Sequence, residues 1–124
     1  MSLKVDVRPA GDVTIVDLAG RITLGEGSGL VRNTIKELLG EGQKNILLNL
    51  KDVTYLDSAG LGELVGAYAS VTNAQGNIKL LHTQNKVHDL LQVTKLVTVF
   101  STYDDEQQAL RSFAAAAAGG KLFL

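Results

Sequence analysis

One stretch constrains the fold of this chain more than any other. It begins Ile46-Leu47-Leu48-Asn49-Leu50 and runs on through Lys51-Asp52-Val53-Thr54-Tyr55-Leu56-Asp57-Ser58-Ala59-Gly60-Leu61-Gly62. The near-continuous apolar run Ile46 to Leu50 suits a central strand covered on more than one side. From Glu63 to Thr72, the residues Leu64, Val65, Tyr68 and Val71 continue from Leu61 at helical spacing. The stretch therefore reads as the exit of a buried strand, a short loop and the first turn of a helix, with Asp57 and Ser58 at that turn. A hydroxyl there lies at a helix mouth, where backbone N–H groups are unpaired and anions are favoured. Gly60 and Gly62 leave the turn without bulk, so another backbone can approach Ser58 closely. The place suits the attachment and removal of a phosphate.

The flanking segments complete an α/β pattern. Leu3, Val5 and Val7 alternate with Lys4, Asp6 and Arg8, a strand with one wet face. Pro9 to Asp12 is turn chemistry, and Val13 to Leu18 returns as the second strand of an antiparallel hairpin. Ala19 to Gly25 reads as a loop. Ser28 is a candidate N-cap for a helix that turns Leu30, Val31, Ile35, Leu38 and Leu39 inward and stops at Gly40 and Gly42. Strand, helix, strand in this order implies a right-handed parallel crossover. Ile78 to His82 is a fourth strand; Val87, Leu90 and Leu91 mark a short helix capped by Asn85 or Thr83; Val97 to Phe100 is a last strand. Thr102 to Asp105 matches a capping pattern and opens a helix carrying Ala109, Leu110, Phe113 and Ala117 inward. Ala114 to Ala118 extends that helix, and Gly119-Gly120 ends it before Lys121-Leu122-Phe123-Leu124. The expectation is a single α/β domain over residues 1–118 with a tail at 119–124. Its mixed sheet has about five strands and about four helices, with functional loops at the carboxyl ends of the parallel strands. Leu30, Ile35, Leu38, Ile46, Leu48, Leu50, Leu61, Leu64, Val65, Leu80, Leu90 and Leu110 are expected in the core.

Composition narrows the function classes. The formal net charge is −1, without the basic patch that nucleic acid or an anionic membrane calls for. There is no cysteine, hence no disulfide frame and no thiolate chemistry. No basic-then-apolar leader opens the chain, and no apolar run approaches the roughly 20 residues of a membrane span. The expectation is a soluble, cytoplasmic domain.

Ser58 admits a bland reading as a helix N-cap, since Ser and Asp are both preferred there. A nucleophile elbow is a sharper rival, but it needs glycine two residues before and after the serine; Gly60 fits and Leu56 does not. The two imidazoles are His82, placed at the same sheet end, and His88, which Asp89 follows. Gly25-Glu26-Gly27-Ser28-Gly29 is no phosphate loop, because no Gly-Lys-Ser/Thr follows and Glu26 repels a phosphate. No metal-ligand set is apparent; Asp104-Asp105-Glu106 sits at a helix start, where acids complement the dipole.

The strand Ile46 to Leu50 with Asp52 to Gly62 resembles the signature of the STAS domain of anti-sigma factor antagonists. Val13 to Ile22 is similar to that family's second strand and following loop, and the Leu80-Leu81 strand and Val87 to Leu96 segment also fit. The likeness runs from about Leu3 to Leu110, with Asp-Ser-Ala-Gly-Leu-Gly as its specific core. It implies a STAS-like sandwich in which Ser58 is phosphorylated by a partner anti-sigma factor that is also a serine kinase. The unphosphorylated antagonist binds that partner and frees the sigma factor, and a serine phosphatase resets the switch. It further implies a partner-binding surface of Asp57, Ser58, Ala59, Gly60, Leu61 and Gly62 with Arg21 and Thr23. ATP belongs to the kinase, so the chain is expected to be no enzyme and to hold no cofactor. It is expected to contact no nucleic acid directly, to insert into no membrane, and to exist as a monomer or weak dimer. Thr23 stands where many members carry an acidic residue near the phosphorylated serine. Related domains serve as accessory subunits of stress-sensing or lipid-transport assemblies, which is the alternative role.

Overall fold

Lys4–Ala10 (β1) reverses at Gly11, whose φ of +63° suits glycine, into Val13–Ile22 (β2). The two strands pair antiparallel from Lys4 opposite Ala19 to Ala10 opposite Val13. The computed structural model describes residues 3–23, 28–83, 85–95 and 100–122. Beyond the hairpin, Ser28–Gly40 (α1) leads to Asn45–Leu56 (β3), Ser58–Asn73 (α2) to Asn77–Leu81 (β4), and Asn85–Val93 (α3) to Thr102–Tyr103 (β5); Glu106–Leu122 (α4) follows. The five strands lie in sequence order, and every pairing after the hairpin is parallel. The mixed α/β sandwich with four helices matches the expectation from the sequence.

Alternation along the strands divides the core in two. Val16, Leu18, Ile46, Leu48, Leu50 and Leu80 face one side of the sheet. There they meet Val31, Ile35 and Leu38 of α1, Leu61, Leu64 and Val71 of α2, and Val87 and Leu91 of α3. Val13, Ile15, Leu47 and Leu81 face the other side, under Ala109 and Phe113 of α4. Both faces of β3 are thus covered over its first half, which is why Ile46 to Leu50 is apolar but for Asn49. α4 is also pinned by Lys79, whose Nζ donates to Ser112 Oγ at 2.9 Å and lies 4.8 Å from the Phe113 ring centroid.

Several boundaries differ from the sequence reading. Ala19 to Ile22 is strand, not loop, and β3 continues through Lys51 to Leu56. The two extensions pair with each other across register shifts between Asp17 and Ala19 and between Gly20 and Arg21. Thr102 lies in β5 rather than capping α4, and Asp105 supplies the side-chain acceptor, taking the Gln107 N–H at 3.2 Å. α4 runs on through Gly119-Gly120 to Leu122; one glycine costs about 1 kcal/mol in a helix, which the preceding alanine run offsets. Leu30 and Val65 are 39% and 38% exposed, and Leu110 is half-buried, although all three sit at inward spacing. The expected strand over residues 97–99, the Gly25–Gly27 loop, Phe123-Leu124 and the side chain of Leu90 lie outside the described residues. The other core residues named from the sequence are buried.

Candidate functional site

The parallel strands β2 and β3 end side by side, with Ile22 opposite Leu56, and α2 starts after the single residue Asp57. Asp57 is extended, at φ −99° and ψ −174°, and caps the helix: its Oδ1 accepts the Gly60 N–H at 2.8 Å. Its carbonyl accepts the first helical bond, from Leu61 N–H at 2.9 Å. The cap is thus Asp57, and Ser58 is the first residue of the helix, exposed, with its hydroxyl released from the capping role that its residue type allows. The N–H groups of Ser58 and Ala59 lie in the first turn, where an α-helix offers no internal acceptor and the dipole favours negative charge.

Gly60 fixes how closely β2 approaches this turn. A Cβ built on it would stand 2.1 Å from the Ile22 carbonyl oxygen and 2.7 Å from Leu56 Cδ1. No side chain fits, and only glycine lets the end of β2 lie against the first turn of α2. Asp57 N–H in turn donates to the Ile22 carbonyl at 3.4 Å. The backbone expected near this turn is therefore the chain's own. Gly60 and Leu61, named from the sequence as contact residues, are buried; their part is to hold the turn in place from beneath. Gly62 is exposed with open space around its α-carbon.

Arg21, Thr23, Asp57, Ser58 and Ala59 remain at least partly open around the Ile22–Leu56 strand ends. Two neighbours escaped the sequence reading. Tyr55 is 45% exposed and its ring carries the Arg21 guanidinium at 4.8 Å from the centroid. Val65 is exposed on the α2 face that also carries Ser58 and Gly62, one turn apart. Aromatic residues and arginine are both enriched where proteins meet partners. The signal available in the sequence was the odd placement of an aromatic three residues before Ser58, outside the Ile46–Leu50 apolar run.

The other candidate groups do not join this site. His82 adopts φ +56° just after β4, and its N–H donates to the Tyr103 carbonyl at 2.8 Å, which ties it to β5. The Asp104-Asp105-Glu106 acids serve α4: Asp105 caps its first turn, and Glu106 Oε1 meets Arg8 Nη2 at 2.7 Å. Among the described residues no cluster of three metal-ligating side chains occurs. Among them, too, no helix is long and apolar enough to cross a membrane.

Comparison with known proteins places this geometry. The family model described as STAS domain matches residues 4–109. The anti-sigma F factor antagonist of Paenibacillus polymyxa is 31% identical over 111 residues, which cover 89% of this chain and 94% of that protein. The crystal structure of an anti-sigma factor antagonist from Mycobacterium paratuberculosis superposes with a TM-score of 0.80 at 20% identity, covering 91% of this chain and 95% of that one. The Bacillus cell fate determinant SpoIIAA in its phosphorylated form superposes with a TM-score of 0.70 at 17% identity, covering 88% and 98%. The chain belongs to the STAS domain family and, within it, to the anti-sigma factor antagonists.

Proposed function

We propose that this chain binds an anti-sigma factor with serine kinase activity when Ser58 is unmodified, and releases it when Ser58 is phosphorylated. The unmodified form frees the sigma factor for transcription, and a serine phosphatase restores it. The chain itself performs no catalysis. The observation that carries the reading is the exposed Ser58 hydroxyl at the first position of α2, beside a cap already supplied by Asp57. Phosphorylation there adds about −1.5 to −2 charges and three acceptor oxygens, and the helix mouth stabilises that group by up to about 2 kcal/mol in favourable geometry. The fold therefore tolerates a change that the partner's surface meets directly.

The binding surface in this reading comprises Ser58, the open flanks of Asp57, Ala59 and Gly62, and the pair Arg21–Tyr55 with Thr23. Thr23 itself adds no negative charge near the strand ends that flank Ser58. The test is incubation of the full chain with the purified anti-sigma factor kinase of the same cell and ATP, read by intact mass and peptide mapping. Addition of one phosphate at Ser58, absent in Ser58→Ala, supports the reading. No phosphate, with the kinase active on its own antagonist control, leaves the role of an accessory subunit.

A further inference from the structure

The sheet is open at β1. This strand pairs only with β2, and its other edge carries backbone groups that no strand of the described residues covers. On the helix side of that edge, β1 and α1 enclose a groove of about 340 Å³ lined by Val5, Val7, Leu30, Thr34, Leu38 and two glutamates, Glu37 and Glu41. Val7 is 47% exposed and Leu30 39% exposed, so two of the four large apolar side chains left exposed among the described residues meet in one place. We propose that β1 is a self-association edge, and that its occupant is β1 of a second copy of this chain, antiparallel about a two-fold axis at Val7.

The sequence of the strand selects that register. Facing the strand with itself about Val7 pairs all seven residues, Lys4 opposite Ala10 through to Ala10 opposite Lys4. Val7 meets Val7 on the axis and Val5 meets Pro9, all on the groove side. Asp6 meets Arg8 of the second copy, and Arg8 meets its Asp6, on the opposite side. Centring on Asp6 instead brings Asp6 against Asp6 and Lys4 against Arg8, like charges directly opposed, which destabilise a cross-strand pair. A register of odd sum puts the α1 layers on opposite sides of the joined sheet and leaves both grooves open. Centring on Val5 also opposes unlike charges, Lys4 to Asp6, but pairs only three residues of the strand; the Val7 register joins like faces, merges the two grooves over Val7 and Leu30, opposes unlike charges and uses the whole strand. Arg8 gives Nε, Nη2 and one Nη1 hydrogen to Asp17 and Glu106 of its own chain; the second Nη1 hydrogen, on a side chain 44% exposed, is what Asp6 of the second copy meets. Pro9, which donates no N–H, falls in the outer part of the ladder. The contact is isologous and closes at two copies.

The inference is independent of the Ser58 reading, and its test does not involve the anti-sigma factor. Sedimentation velocity of the full chain is run across a concentration series into the millimolar range, alongside Val7→Lys and Asp6→Arg. Both substitutions fall on exposed strand positions, and circular dichroism checks their folding. The expected result is a wild-type mass that climbs toward twice the chain mass, with both variants held at the single-chain mass. If Val7→Lys fails to fold, Asp6→Arg alone decides. A wild type that stays single at the highest concentration, or variants that pair as the wild type does, overturns the proposal.

Discussion

Glycines within α2 that look alike in sequence have opposite consequences. Gly60→Ala drives a methyl group into the Ile22 carbonyl, at 2.1 Å before any relaxation, and is expected to destabilise by about 2 kcal/mol or more. Gly66→Ala meets nothing within 4 Å in mid-helix and is expected to stabilise by up to about 1 kcal/mol. Urea titration of both variants reads the contrast; equal effects would mean that β2 does not lie against the first turn as described. At the cap, Asp57→Ala is expected to cost roughly 1 kcal/mol by freeing the Gly60 N–H, whereas Ser58→Ala should leave the melting temperature nearly unchanged. At this scale the sequence was legible in residue type but ambiguous in role. Asp57 and Ser58 are both good caps, and only the extended backbone of Asp57 with its bond to Gly60 assigns the cap to it.

Apolar period identified the elements, and charge hid their ends. β3 was recognised from Ile46 to Leu50, but Lys51 and Asp52 are exposed and break the pattern just where the register shifts against β2. A bulge changes the side-chain parity, so alternation cannot be followed through it. Leu30 and Val65 were misplaced for a different reason. Each has helical spacing, but each lies at the margin of its helix's buried face and stays more than a third exposed. Between α1 and α2, a buried charge sits beside the apolar packing: Glu63 is 7% exposed, and its Oε2 accepts from Arg32 Nη2 while Oε1 has no hydrogen-bond partner among the described residues. Arg32→Ala should therefore destabilise by about 1–3 kcal/mol, since it leaves a buried carboxylate unpaired. The same change made in Glu63→Gln should cost less, and a double-mutant cycle by chemical denaturation measures the difference. Additive effects would show that the two side chains do not interact.

Across the molecule, the sheet is tied to α4 by charge as well as by packing. Arg8 Nε donates to Asp17 Oδ2 at 2.6 Å and Nη2 to Glu106 Oε1 at 2.7 Å, joining β1, β2 and α4. The Arg8 hydrogen bond, helped by a bond from Asn49 and opposed by partial burial, holds the Asp17 carboxyl below its usual value. A carboxyl depressed in the folded state contributes stability above its unfolded pKa of about 3.9, and loses it as pH falls through the folded value. Arg8→Ala should flatten that acid limb of the stability curve and lower stability at neutral pH. Melting curves from pH 7 to pH 2 check this, and an unchanged acid limb would deny the pair its role. The order of strands and the two-layer cover were legible from the alternation of strand and helix; the three-way tie was not, because its partners are far apart in sequence. The central claim, a switch at Ser58, is tested most directly by titrating wild type, Ser58→Ala and Ser58→Asp against the anti-sigma factor kinase of the same cell, with circular dichroism as folding control. Opposed like charges at an interface cost several kcal/mol, and about 1.4 kcal/mol is tenfold in affinity. The account predicts wild-type affinity for the Ala variant and a loss of a hundredfold or more for the Asp variant. Equal affinities for the two variants would contradict it.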